Sequence, residues 1–120
     1  MATFTKVHLS GSTGGRLIKV AATATTGTTI HATGTSSTDL DELWLYAVNT
    51  SATDVKLTVE YGGTTSPDDH IEFTVKAENG LYLIVPGLLL SGTGSAARTV
   101  TAFAGTTNVI CIGGYVNRIS

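Results

Sequence analysis

Charge is scarce in this chain. Of its 120 residues 13% are charged, seven Lys or Arg against nine Asp or Glu, about half the usual share for a globular domain. A net charge of -2 without any cluster of Lys or Arg gives no means of displacing counterions, so nucleic acid and anionic membrane are set aside as partners. Cysteine occurs once, as Cys111, so no internal disulfide can form. Within the apolar run Asn108 to Ile112 it reads as a small buried hydrophobe. No apolar run approaches the roughly 20 residues of a membrane helix. Met1-Ala2-Thr3-Phe4-Thr5-Lys6 has no apolar signal-peptide core, so the product is expected to stay in the compartment that makes it. With 42% hydrophobic residues and so little charge, much of the exterior must be Thr, Ser and Gly. Such an exterior suits contact with other protein copies.

What is present is alternation. In Val55-Lys56-Leu57-Thr58-Val59-Glu60-Tyr61 the odd positions share an apolar face, and Lys56, Thr58 and Glu60 share one that seeks water. Similar strands are expected at Thr3 to Leu9, Arg16 to Ala21, Thr28 to Ala32, His70 to Lys76, Arg98 to Ala104 and Val109 to Ile119. Leu40 to Val48 is apolar on both faces in its second half, which predicts a central strand covered twice, with Trp44 in the core. Ala77-Glu78-Asn79-Gly80 predicts a tight turn and a hairpin between the strand ending at Lys76 and Leu81 to Val85, which Pro86-Gly87 should stop. Leu88-Leu89-Leu90 either plugs the end of the core or forms a patch for another subunit. Gly113-Gly114 predicts a bulge or a close backbone approach. These elements predict one all-β domain over residues 1–120: an antiparallel sandwich of eight or nine short strands, jelly-roll-like, with a closed barrel as alternative.

No residue set makes a convincing reaction centre. Asp68-Asp69-His70, with Asp39, Asp41 and Glu42 elsewhere, is the only group resembling metal ligands. Consecutive strand residues point oppositely, so solvated turn residues are the expectation, and neither metal nor cofactor is assigned. Gly11-Ser12-Thr13-Gly14-Gly15 lacks the Lys of a phosphate loop and precedes a strand, so it reads as a hairpin loop. His8, His31 and His70 have no nucleophile at a recognisable spacing. A carbohydrate-binding module would need exposed aromatics, which a Trp44 packed in the core would not supply. An enzyme is the least expected class.

Five segments carry a resemblance: Lys6 to Ser12, Gly15 to Thr23, Leu43 to Ser51, Val59 to Gly63, and Gly113 to Arg118. Together they resemble the small virion proteins of tailed bacteriophages, in particular capsid decoration or cement proteins, over nearly the whole chain. The resemblance implies a non-enzymatic protein made in the host bacterial cytoplasm that binds the major capsid protein on the head exterior, as a homo-oligomer, commonly a trimer. A tail, connector or fibre component is the alternative. The motifs are strand and turn patterns, so no functional residue is transferred. The expected contacts are the Thr-rich segments Thr23 to Thr38 and Thr64 to Asp69, represented by Thr28, Thr29, Thr33, Thr35, Thr64, Thr65, Asp68 and Asp69, with Leu88 and Leu89 added as the apolar patch.

Overall fold

Alternation along the chain becomes nine strands in the computed structural model, which describes residues 3–120. They are β1 (Phe4–His8), β2 (Ile18–Lys19), β3 (Thr28–Ala32), β4 (Leu40–Asn49), β5 (Val55–Tyr61), β6 (His70–Val75), β7 (Tyr82–Leu90), β8 (Thr99–Ala104) and β9 (Ile110–Ile119). One sheet has the order β1-β9-β4-β7, with β2 also paired to β9, and the other has the order β3-β8-β5-β6. Every strand pairing is antiparallel. Treating β1 and β2 as one interrupted strand, this is the jelly-roll order, in which successive strands cross between the sheets.

The core forms where the inward positions meet. Leu43, Leu45 and Ala47 of β4 face Leu57 and Val59 of β5, Val100 and Ala102 of β8, and Ile110, Ile112 and Val116 of β9, all essentially inaccessible to solvent. β4 keeps strict alternation over ten residues, with its odd positions from Asp41 to Asn49 buried. β4 is central in its sheet as expected, but its outer face has no second layer: Trp44, Tyr46 and Val48 lie there half-buried. Trp44 is therefore not a core residue. On β9, Gly114 (φ 151°), the partner of Leu45, lies so close to β4 that a Cβ would fall on the Trp44 carbonyl oxygen, the predicted close approach.

Several other expectations are corrected. Arg16 to Ala21 contributes only Ile18–Lys19 to a sheet, because Leu17 leaves the strand and its side chain lies over Gly113. Gly11 to Gly15 is not a hairpin loop; β1 and β2 run along the same strand, β9, and the segment between them swings out to β3. β6 and β7 do not pair. The turn at Glu78 to Gly80 (φ 50° and 74°) carries the chain from one sheet to the other, with the Glu78 amide donating to the Asn49 carbonyl. Pro86-Gly87 does not stop β7. That strand is an edge, where a missing N–H is tolerated, and its pairing with β4 shifts register on either side of Pro86. Cys111 is half-buried on the outer face beside Val48.

Candidate interaction surfaces

Strand directions bring most of the expected contact residues to one end of the sandwich. There β3, β5 and β7 end and β4, β6 and β8 begin, so the loops 33–39, 62–69 and 91–98 converge. The Gly92 amide donates to the Ser36 carbonyl, Gly94 to Thr35, and Gly62 to Thr99, and the Arg98 guanidinium donates to the Ser91 and Gly92 carbonyls at 3.0 and 3.1 Å. Thr35, Thr64, Thr65 and Asp68 are exposed at this end. Asp69 closes its own turn, accepting from the Thr65 amide through Oδ2. Thr33 is buried, with its hydroxyl accepting from the Arg98 amide and donating to the Gly34 carbonyl. Thr28 and Thr29 lie away from this group. The Thr28 hydroxyl accepts the Ala21 and Ala22 amides, so Thr28 and Thr33 serve the fold, while Thr29 is exposed on the outer face of the four-stranded sheet.

Beneath this end lies a polar clamp between the sheets. The His31 Nδ1 accepts the Ser10 amide at 3.0 Å, which leaves the proton on Nε2 to be donated to Asp41 Oδ2 at 2.7 Å. Arg118 donates to both Asp41 oxygens at 2.8 and 3.0 Å. Burial alone would raise the Asp41 carboxyl, but the hydrogen bonds from Arg118 and His31 and their charges bring it below the ordinary carboxylate value.

Leu88 and Leu89 do not plug the core. They are exposed on β7, and they belong to a larger apolar patch. Among the described residues six large hydrophobics are exposed, and four of them, Leu81, Leu83, Leu88 and Leu89, lie on or beside this edge strand. Leu81 to Leu90 contains no charged residue. The patch continues onto the outer face of the five-stranded sheet, where cross-strand pairing aligns Leu83 with Tyr46, Pro86 with Trp44, and Trp44 with Tyr115. The Trp44 and Tyr115 rings are near-parallel with centroids 6.1 Å apart, and the Lys6 ammonium lies 5.2 Å from the Tyr115 centroid. Glu42 accepts from Trp44 Nε1 and Asn117 Nδ2, and these bonds, Asn117 first, hold its carboxyl below the usual value. Leu81, Leu83 and the outward Trp44 escaped sequence reasoning, because a strand apolar on both faces does not reveal which face lacks cover.

The other outer face also departs from expectation. Thr58 and Glu60, assigned to a solvated face, are buried. The segment leading into β3 covers Glu60: its Oε1 accepts the Gly27 amide and the Thr101 hydroxyl, and its Oε2 accepts the Thr25 hydroxyl. Burial would raise this carboxyl, and the donors from Thr101, Thr25 and Gly27, with His70 nearby, lower it below the ordinary value. Among the described residues no group of three or more His, Cys, Asp or Glu is placed to hold a metal ion, and no helix is long and apolar enough to cross a membrane.

A scan against known protein families and a search of characterised proteins return no match to this chain. The class of protein that stands on the fold alone is a jelly-roll β-sandwich with an apolar, charge-free edge.

Proposed function

We propose that this chain is a structural, non-enzymatic protein of a tailed-phage particle, a decoration protein that binds the outside of the assembled capsid and stabilises the head. The observation that carries this reading is the patch from Leu81 to Leu89, which exposes four leucines with no neighbouring charge on its strand. Exposed apolar side chains concentrated on one edge strand mark a candidate interaction site on a folded domain. Pro86 and the register shifts around it protect the strand's backbone from edge-to-edge pairing, so the partner is met by side chains. The converging hydroxyl-rich loops, which also carry Asp39, Asp68 and Asp69, add polar contact where β7 ends. The resemblance to small virion proteins supplies the partner, the major capsid protein, and the expectation of a homo-oligomer, a trimer being favoured.

The energetic logic is linkage. A protein that binds the expanded lattice better than the unexpanded one stabilises it by mass action, and an oligomer that engages several capsid subunits adds avidity. Location on the virion exterior after synthesis in the bacterial cytoplasm follows from the same reading. The test is co-sedimentation of the purified chain with expanded heads that lack it, beside quantitative mass spectrometry of native particles. Near-equimolar abundance relative to the capsid protein, and saturable binding lost in Leu83→Lys/Leu89→Lys, support the reading. A few dozen copies would move the chain to the tail or connector, and absence from particles would overturn a virion role.

A further inference from the structure

The six large hydrophobics exposed among the described residues all lie at the two free edges of the five-stranded sheet. Phe4 on β1 and Leu17 beside β2 are at one edge, and Leu81, Leu83, Leu88 and Leu89, on or beside β7, are at the other. Single exposed hydrophobics scattered over a surface need no explanation, but a set confined to two opposed edges points to contacts made there.

Strand pairing sets the two edges level with each other. The Leu17 side chain lies over Gly113, which pairs with Tyr46, which pairs in turn with Leu83. Phe4 pairs with Ile119 and Ile119 with Leu40, one residue from the Asp41–Leu90 pair. Lys19 pairs with Cys111 and Cys111 with Val48, next to Asn49, whose carbonyl accepts the Glu78 amide shortly before β7. Along the strand direction, therefore, Leu17 stands level with Leu83, Phe4 with the end of β7, and Lys19 with Glu78.

Charge is divided in the same way. Residues 1–38 hold Lys6, Arg16 and Lys19 and no Asp or Glu, whereas all nine acids and the other four cations follow. None of those three cations forms an ion pair with a described residue, and neither does Glu78. Two β1–β2 edges brought together would oppose like charges, and two β7 edges brought together would leave Phe4 and Leu17 uncovered. Contact between unlike edges avoids both.

We propose that the occupant of both edges is another copy of this chain: the β7 edge of one copy packs against the β1–β2 edge of the next, with Leu83 on Leu17, the end of β7 on Phe4, and Glu78 against Lys19. Pro86 and the register shifts around it keep β7 from backbone pairing, so side chains make the contact. Because the matched positions stand level, the contact needs no rise along the strands, and a head-to-tail contact without a rise closes into a ring where one with a rise grows into a filament. The inference rests on the β7 edge being an interaction surface, as in the proposed function, and not on the capsid being what it meets.

Sedimentation velocity of the intact chain from micromolar to millimolar concentration tests it. The expected result is association to one fixed multiple of 12.4 kDa. Leu17→Lys at one edge and Leu83→Lys at the other should each leave a folded monomer. Lys19→Glu and Glu78→Lys should each weaken association about fivefold, the upper worth of an exposed ion pair, and the double variant should recover it. Within one copy β9 and β4 lie between the two positions, so recovery reports a contact between copies. A chain that stays monomeric at millimolar concentration overturns the proposal, and if that monomer still sediments with expanded heads the capsid reading stands without it. Association that survives Leu17→Lys, open-ended growth, or a double variant no better than the single ones overturns it equally. Should Leu17→Lys fail to fold, the charge-reversal set decides.

Discussion

The two long sides of this sandwich are closed by different means. On the β1–β3 side the segment Leu9 to Ser12 crosses between the sheets on polar contacts: the Gly11 amide donates to the Ile30 carbonyl at 2.9 Å, Ser10 to His31, and Ala32 to the Ser10 hydroxyl at 2.7 Å. On the β6–β7 side the sheets meet through side chains, Phe73 against Tyr82 with ring centroids 5.5 Å apart and the Tyr61 hydroxyl donating to the Leu88 carbonyl. The first side is tied by these hydrogen bonds, with Phe4 on β1 and Leu17 beside β2 as its exposed large hydrophobics. The second keeps the fold together while its leucines face outward. A side tied by directional hydrogen bonds defines the fold, and a side finished with apolar side chains remains able to bind.

The largest effect should come from the clamp that extends the closed side. Asp41→Ala strands the His31 proton and the Arg118 guanidinium, and it should cost about 3–5 kcal/mol, read as a lower urea midpoint. Next is Gly11→Ala. A Cβ there would press on the Thr29 and Ile30 carbonyls, and backbone cannot yield as a flexible side chain can, so a loss of about 1–3 kcal/mol is expected in the same assay.

Acid should weaken the closed side further. The folded carboxyls of Asp41 and Glu60 lie below their ordinary values of 3.8 and 4.5, so the unfolded chain binds more protons and stability falls as pH drops through and below those values. Asp41→Asn should flatten this acid limb in denaturation curves taken from neutral pH downward, and an unchanged limb would remove Asp41 as its source. At the alkaline end the sign reverses. Burial, with a contribution from Asp41, raises the Tyr61 phenol, so its contribution is intact below the ordinary value of 10.0 and is lost above it, and Tyr61→Phe should remove that loss.

The smallest stability change belongs to the open side. Leu83→Lys and Leu89→Lys, at exposed positions, should each move stability by no more than about 0.5 kcal/mol, while the proposed capsid binding, if it runs through this strand, should be lost. A large loss of stability in either would mean that the patch is part of the fold, and the contrast between the two sides would fail.

Much of the fold was legible along the chain. The limits of β5 agree with its alternation and those of β3 with the strand expected from its β-branched threonines, and the strands at His70, Thr99 and Ile110 depart from expectation by a residue at an end. The candidate surfaces were legible only in part. Thr35, Thr64, Thr65 and Asp68 do reach one exposed end, but Thr28 and Thr33 are occupied by backbone groups, and of the exposed leucines on and beside β7 only Leu88 and Leu89 stood out along the chain, as part of an apolar triplet. Thr58 and Glu60 occupy polar positions in a clean alternating strand. The cover over Glu60 comes from a segment more than thirty positions earlier in the chain, through Thr25 and Gly27.

The sequence by itself determined the class of structure and the two faces of each strand, because side chains alternate across a pleat whatever lies beside it. Only the tertiary structure decided which strands are neighbours and which outer face is covered. β6 and β7 are separated by a turn suited to a hairpin, yet they join different sheets, and Trp44 faces outward although its strand is apolar on both sides. The reason is range. A period of two is a property of consecutive residues, whereas pairing and cover depend on contacts between segments far apart in the chain.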